Sequence, residues 1–168
     1  MNPRHPTAFS LLLLVAAALT NASCNYSTQP LYERSIHTVA VPIFINKSFR
    51  REWEFRLTEA IAKNIESRTP YKIAPRDKAD TILTGEIVDI QENVLTQRVG
   101  TDIPRETQVT VVINFTWKDR AGHVLLERKA FNKSSTEIPQ LGERVDDAEQ
   151  LAVERTAAAI VDQMQTDW

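Results

Sequence analysis

The sequence has 168 residues, 42% of them hydrophobic and 25% charged, with a formal net charge of −2. This is a globular composition that excludes a disordered or low-complexity chain, and its near-neutral charge gives no electrostatic ground for a nucleic-acid partner. Cys24 is the single cysteine, so no intrachain disulfide can form.

The N-terminus reads as an export signal. Arg4 and His5 form a short basic start, and Ala8 to Leu19 is apolar. That stretch is about 12 residues, whereas a spanning helix needs about 20. Asn21-Ala22-Ser23-Cys24 follows, the layout of a bacterial lipoprotein processing site, with Asn21 where such signals usually carry Leu. A cysteine suits that site because its thiolate takes up a lipid as a stable thioether. The expected organisation is a signal peptide over 1–23, lipid attachment at Cys24, a polar tether over 24–35 and one folded domain over 36–168. A signal cleaved after Ala22 or Ser23, or a free buried cysteine, are the other readings of the same residues. Residues 1–23 carry one Arg and no acid, so the remaining 145 residues hold 19 basic and 22 acidic side chains. That length suffices for one real core.

Thr38 to Phe44 predicts the first strand, with Pro42 marking an edge or an irregularity because it donates no hydrogen bond. Asn46 or Ser48 offers a cap for a helix over Arg51 to Arg68. In it Trp53, Leu57, Ala60, Ile61, Asn64 and Ile65 recur at helical spacing. Glu52–Arg56 and Glu59–Lys63 stand four apart on its wet side as expected ion pairs. Tyr71 to Ala74 is a short extended piece, and Pro75 to Ala79 a charged turn. Thr81 to Val94 predicts a long strand, apolar on both faces in its first half (Ile82, Leu83, Ile87, Val88, Ile90), as in a strand inside a sheet. Strand, helix and strand form a crossover unit, so the first two long strands should run parallel.

Gln97 to Arg105 reads as a turn. Val109, Val111, Ile113, Phe115 and Trp117 then alternate with Thr110, Val112, Asn114 and Thr116, the pattern of a half-buried antiparallel strand. Lys118 to Gly122 is a hairpin turn, with Gly122 at the left-handed position. Val124 to Phe131 returns as a strand whose Glu127, Arg128 and Lys129 suggest a charge-protected edge. After Pro139 and Gly142, Glu143 to Met164 predicts a second helix with Val153, Ala157, Ile160, Val161 and Met164 as its stripe. The expected fold is α+β, two helices on one face of a four-stranded mixed sheet.

Catalytic patterns are missing. The four glycines lie at 85, 100, 122 and 142, too far apart for a phosphate-cradling loop. His37 and His123 have no partner at metal-ligand spacing, and there is no Gly-x-Ser-x-Gly elbow. Asp77, Asp80 and Glu86 flank one strand end, where a solvated turn competes with an acid/base pair. Arg98 and Arg105 gather by one turn, Lys118 and Arg120 by the other. Their functional reading is phosphate contact, as to a lipid headgroup, against the plainer reading of solvated loops. No cofactor or metal is expected.

Thr38 to Lys47 (Thr-Val-Ala-Val-Pro-Ile-Phe-Ile-Asn-Lys) resembles the start of the lipopolysaccharide-assembly lipoprotein family, the LptE type. The likeness continues through Phe55-Arg56-Leu57-Thr58-Glu59-Ala60, Arg68-Thr69-Pro70-Tyr71 and Ala79 to Ile87, and covers nearly all of the chain beyond Cys24, including the final helix. Cys24-Asn25-Tyr26 stands where the family often has Cys-Gly-Tyr. The resemblance implies a lipid-anchored protein on the periplasmic face of the outer membrane. There it would plug an LptD-type outer-membrane β-barrel and help insert lipopolysaccharide into the outer leaflet, without catalysing a covalent change. Its lipopolysaccharide-contact residues do not transfer by motif; Arg98 and Arg105 are candidates on charge alone. An adaptor lipoprotein of another secretion or Tol-type envelope machine, a small envelope enzyme and a soluble periplasmic binding module remain alternatives.

Overall fold

The computed structural model describes residues 31–97, 104–137 and 145–165. Its elements are β1 (Thr38–Ala40), β2 (Ile45–Asn46), α1 (Trp53–Arg68), β3 (Lys72–Ile73), β4 (Thr81–Gln97), β5 (Pro104–Asp119), β6 (Val124–Glu137) and α2 (Val145–Asp162). The sheet runs β3-β1-β4-β5-β6, and β2 also pairs with β4. The class is α+β as expected, but the sheet has six strands where four were predicted.

Two local causes account for the difference. The predicted first strand is interrupted around Pro42: β1 ends with Ala40 opposite Ile82, and β2 resumes with Ile45 opposite Glu86. Five residue steps on one side face four on the other, so the chain detours where proline cannot donate. In addition, the extended piece after α1 joins the sheet, Thr38 facing Lys72 in parallel. The expected parallel relation of the first strand to the long one holds, Val39 facing Thr81.

β5 carries the core's register. Val109, Val111, Ile113, Phe115 and Trp117 are all buried. In β4, Leu83 and Ile87 point inward, but Val88 is an extra residue, since Ile87 faces Ile113 and Asp89 faces Val112. This bulge inverts the phase, so Ile90 is again buried while Val88 is exposed. The run that reads as apolar on both faces is one inner face with a slip in it. In β6, Ile113 faces Phe131 and Phe115 faces Arg128. Ala130 takes the strain at φ 51°, and its N–H donates to Asn114 Oδ1 at 2.8 Å. The charged edge is as predicted, but pairing continues six residues past Phe131.

The helices close the inner face. Trp53, Leu57, Ala60, Ile61 and Ile65 of α1 are buried, as are Val153, Ala157, Ile160 and Val161 of α2 with Met164 beyond it, all in one cluster with the strands. Gly85 explains a seam in this core: a side chain there would strike the Phe44 ring and the Asn114 carbonyl. The bare backbone is what lets Phe44 lie under β4. The cap of α1 is neither Asn46 nor Ser48 but Glu52, at φ 72° with no side-chain cap bond. The two predicted i,i+4 pairs do not form; Arg56 reaches across to Glu149 of α2 instead, at 3.2 Å. Among the described residues no helix is long and apolar enough to cross a membrane.

The start of β4 is locked by Asp80. Its Oδ2 accepts the backbone N–H groups of His37 (3.0 Å) and Thr38 (2.9 Å), and its own N–H donates to Thr38 Oγ1. The His37 N–H first, then Thr38, holds this carboxyl below the usual carboxylate range. A depressed folded pKa stabilises above the unfolded value of about 3.9 and is lost as pH falls through the lower folded value. Asp80→Asn should therefore unfold at lower urea than the parent at pH 7, and the gap should close below about pH 3.9. A gap unchanged down to the acid limit would show that the charge does not act there.

Candidate functional site

Cys24 and Arg98 lie outside the described residues. Arg105 sits in β5 next to Pro104, which faces Gln97 of β4. The three carboxylates at the start of β4 do not converge. Asp80 is held by backbone, Asp77 is exposed, and Glu86 binds Lys47 at 2.6 Å and the Asn114 amide at 2.8 Å. Lys47 first, then Asn114, holds Glu86 below its ordinary range. Two carboxylates stabilised as anions do not make a general acid. Among the described residues no three His, Cys, Asp or Glu side chains group as a metal site.

The structure does present surfaces. The outer face of β4, β5 and β6 is open, and its middle is polar, hydroxyls and amides with the charged Glu86, Glu127 and Lys129 beside them. Thr110 and Ser134 hydroxyls pair at 2.9 Å, Thr84 Oγ1 donates to the Thr116 carbonyl, and Glu86 is already neutralised by Lys47. A shallow groove of about 320 Å³ crosses this face between Ile45, Glu86, Asn114, Thr116 and Lys129.

The second surface is the connection from β2 to α1, which sequence reasoning treated only as a capping region. Asn46 organises it. Its Oδ1 accepts from the Ser48 N–H and hydroxyl, and its Nδ2 donates to the Arg50 carbonyl and to Glu54 Oε2. Arg50 then bridges Glu92 of β4 at 2.6 Å and Glu149 of α2 at 2.8 Å. Between these two fixed points Phe49 is fully exposed, and Ile43, Ile45 and Phe55 are more than half exposed. Leaving a Phe in water forgoes about 1.5–3 kcal/mol of burial, so a loop tied down on both sides of it has the form of a contact surface. The signal was present as the single apolar residue, Phe49, within the polar run Asn46 to Arg51.

The described chain begins against the domain. The Tyr32 ring meets Tyr71 edge-on at 5.6 Å, its hydroxyl donates to the Arg68 carbonyl at 3.3 Å, and the Glu33 N–H donates to Tyr71 Oη at 3.1 Å. The polar segment predicted as tether is thus docked from Tyr32 onward.

Comparison with solved structures finds the same fold at low identity. Uncharacterized lipoprotein B from Nitrosomonas europaea is 11% identical with a TM-score of 0.52, over 84% of this chain and 89% of that one. The hypothetical protein CT253 from Chlamydia trachomatis is 10% identical with a TM-score of 0.51, over 77% and 97%. The PelC dodecamer from Paraburkholderia phytofirmans is 14% identical with a TM-score of 0.50, over 83% and 96%. At such identities the likeness concerns the fold alone. A comparison with curated proteins finds no match. The family model for LptE, lipopolysaccharide-assembly, matches residues 36–168. That match spans every strand and both helices, and by it this chain belongs to the LptE lipopolysaccharide-assembly family.

Proposed function

We propose that the protein is an outer-membrane lipoprotein, anchored through Cys24 on the periplasmic face, that plugs and supports an LptD-type β-barrel during lipopolysaccharide insertion into the outer leaflet. The observation that carries this reading is the family match over the whole folded domain. The surface supports it: the interior of a large barrel is wet and polar, and the open sheet face is mostly hydroxyl and amide. The Phe49 loop supplies the apolar anchor that such a contact uses. The domain acts by binding, not by catalysis, and Arg98 and Arg105 are proposed contacts for lipopolysaccharide phosphates.

Affinity purification from detergent-solubilised membranes, with copurifying chains identified by mass, tests this. The expected result is one large β-barrel with lipopolysaccharide. Charge reversal at Arg98 and Arg105 should reduce the lipopolysaccharide and leave the barrel. Recovery of a different envelope machine with no such barrel would replace this reading by the adaptor one.

A further inference from the structure

The fold gathers basic side chains from four separate stretches of sequence at one end. Thr81 of β4 faces Asp119 of β5, Lys118 faces Val124 of β6, and Lys72 of β3 faces Thr38 of β1. The turn before β4 touches the β5–β6 turn, where the Arg120 guanidinium donates to the Asp77 carbonyl at 3.1 Å. Arg34, Lys72, Arg76, Lys78, Lys118 and Arg120 are all exposed there. None makes an ion pair among the described residues, whereas Arg68 nearby is paired with Asp162. The acids of this end keep their charge: Asp80 accepts from two backbone N–H groups, Asp119 from the His123 ring at 2.7 Å, and Glu33 from Ser35, while Asp77 and, in the last turn of α1, Glu66 are exposed. The six cations therefore outnumber the carboxylates only narrowly. Leu31, Val124 and Leu125 are exposed beside them. In a chain of net charge −2, this is a local basic surface with an aliphatic fringe.

The chain enters the domain at this same end. Tyr32 docks on Tyr71 and Arg68, at the C-terminal end of α1. Seven residue steps separate Leu31 from Cys24, a reach of at most roughly 25 Å.

We infer that this end is a docking face for an anionic phospholipid surface, which turns the lipid leash into an oriented attachment. Its placement beside the bilayer rests on the lipid-anchor reading; its affinity for anionic lipid does not. Basic side chains gain from the negative potential only within a Debye length of the headgroups, and a short leash keeps them there. The same chemistry on an unanchored protein would be weak and salt-sensitive.

The test uses vesicles of phosphatidylcholine alone or with phosphatidylglycerol, and the full mature chain in two forms, lipidated and carrying Cys24→Ser. The Cys24→Ser chain should float with the phosphatidylglycerol vesicles only, and salt should release it. Arg34→Glu, Arg76→Glu and Lys78→Glu together should weaken that binding at least about tenfold with the melting transition retained. Lys63→Glu, Lys129→Glu and Lys133→Glu, an equal change of net charge on other surfaces, should weaken it at most about twofold. Equal flotation on both vesicle types, or equal losses in the two triple variants, would overturn the docking face. Failure of the lipidated chain to stay on neutral vesicles would instead overturn the anchor, and leaves the Cys24→Ser result as the measure of the basic face.

Discussion

Phe115→Ala is expected to lower the unfolding free energy by about 3–5 kcal/mol. Phe115 is 1% exposed, lies edge-on against Phe131 at 5.4 Å and faces Gly85 across the sheet. Gly85 has no side chain to swing into the space, and the Phe44 ring that lies under it is itself buried. The cavity would therefore stay open, and an open cavity adds to the lost burial. Thr116, one residue on, points to the outer face, and only its backbone carbonyl is used, by Thr84. Thr116→Ala should cost under about 1 kcal/mol. Urea titration of the two variants gives the comparison. Equal losses would mean that the inner and outer faces of β5 have been exchanged, because a slip of one residue reverses every side chain.

The second large effect is at the anchor. Cys24→Ala should leave the domain folded, since the buried core cluster is built from Val39 onward, and should remove it from membranes washed with alkaline carbonate, which strips proteins held by other proteins or by charge. Each buried CH₂ is worth about 0.8 kcal/mol, so two or more acyl chains hold stably where one does not. Retention of the variant equal to wild type after the wash would contradict lipid attachment at Cys24.

Legibility followed local regularity. β5 was read from its alternation because no bulge interrupts it from Val109 to Ile113 and each inward residue is apolar. β4 was misread as apolar on both faces because the extra residue Val88 reverses the phase, and periodicity cannot distinguish a slip from a second buried face. β6 was cut short at Phe131 because the residues after Phe131 are Asn, Lys, Ser, Ser and Thr. These stay in the sheet through backbone pairing, which leaves no hydrophobic trace. The short strands β2 and β3 are two residues each, below what any pattern resolves. The helices were legible from their stripes, but Arg56 chose Glu149 over Glu52. Helical spacing places two charges within reach, and tertiary packing offered a better-placed partner. Of the site, the charged edge of β6 was legible. The Phe49 loop was not, because its form depends on Asn46, Glu92 and Glu149, which meet only in the fold. The basic end was visible only in part, as Lys118 and Arg120, until the turns holding Arg76 and Lys78 were brought beside them.

The barrel-plug role meets its most direct test in a cell that makes lipopolysaccharide, by depleting the protein and measuring surface lipopolysaccharide and fully assembled barrel together. The two should fall in parallel, with lipopolysaccharide held back inside the envelope. Normal surface lipopolysaccharide and normal barrel after complete depletion would contradict the role.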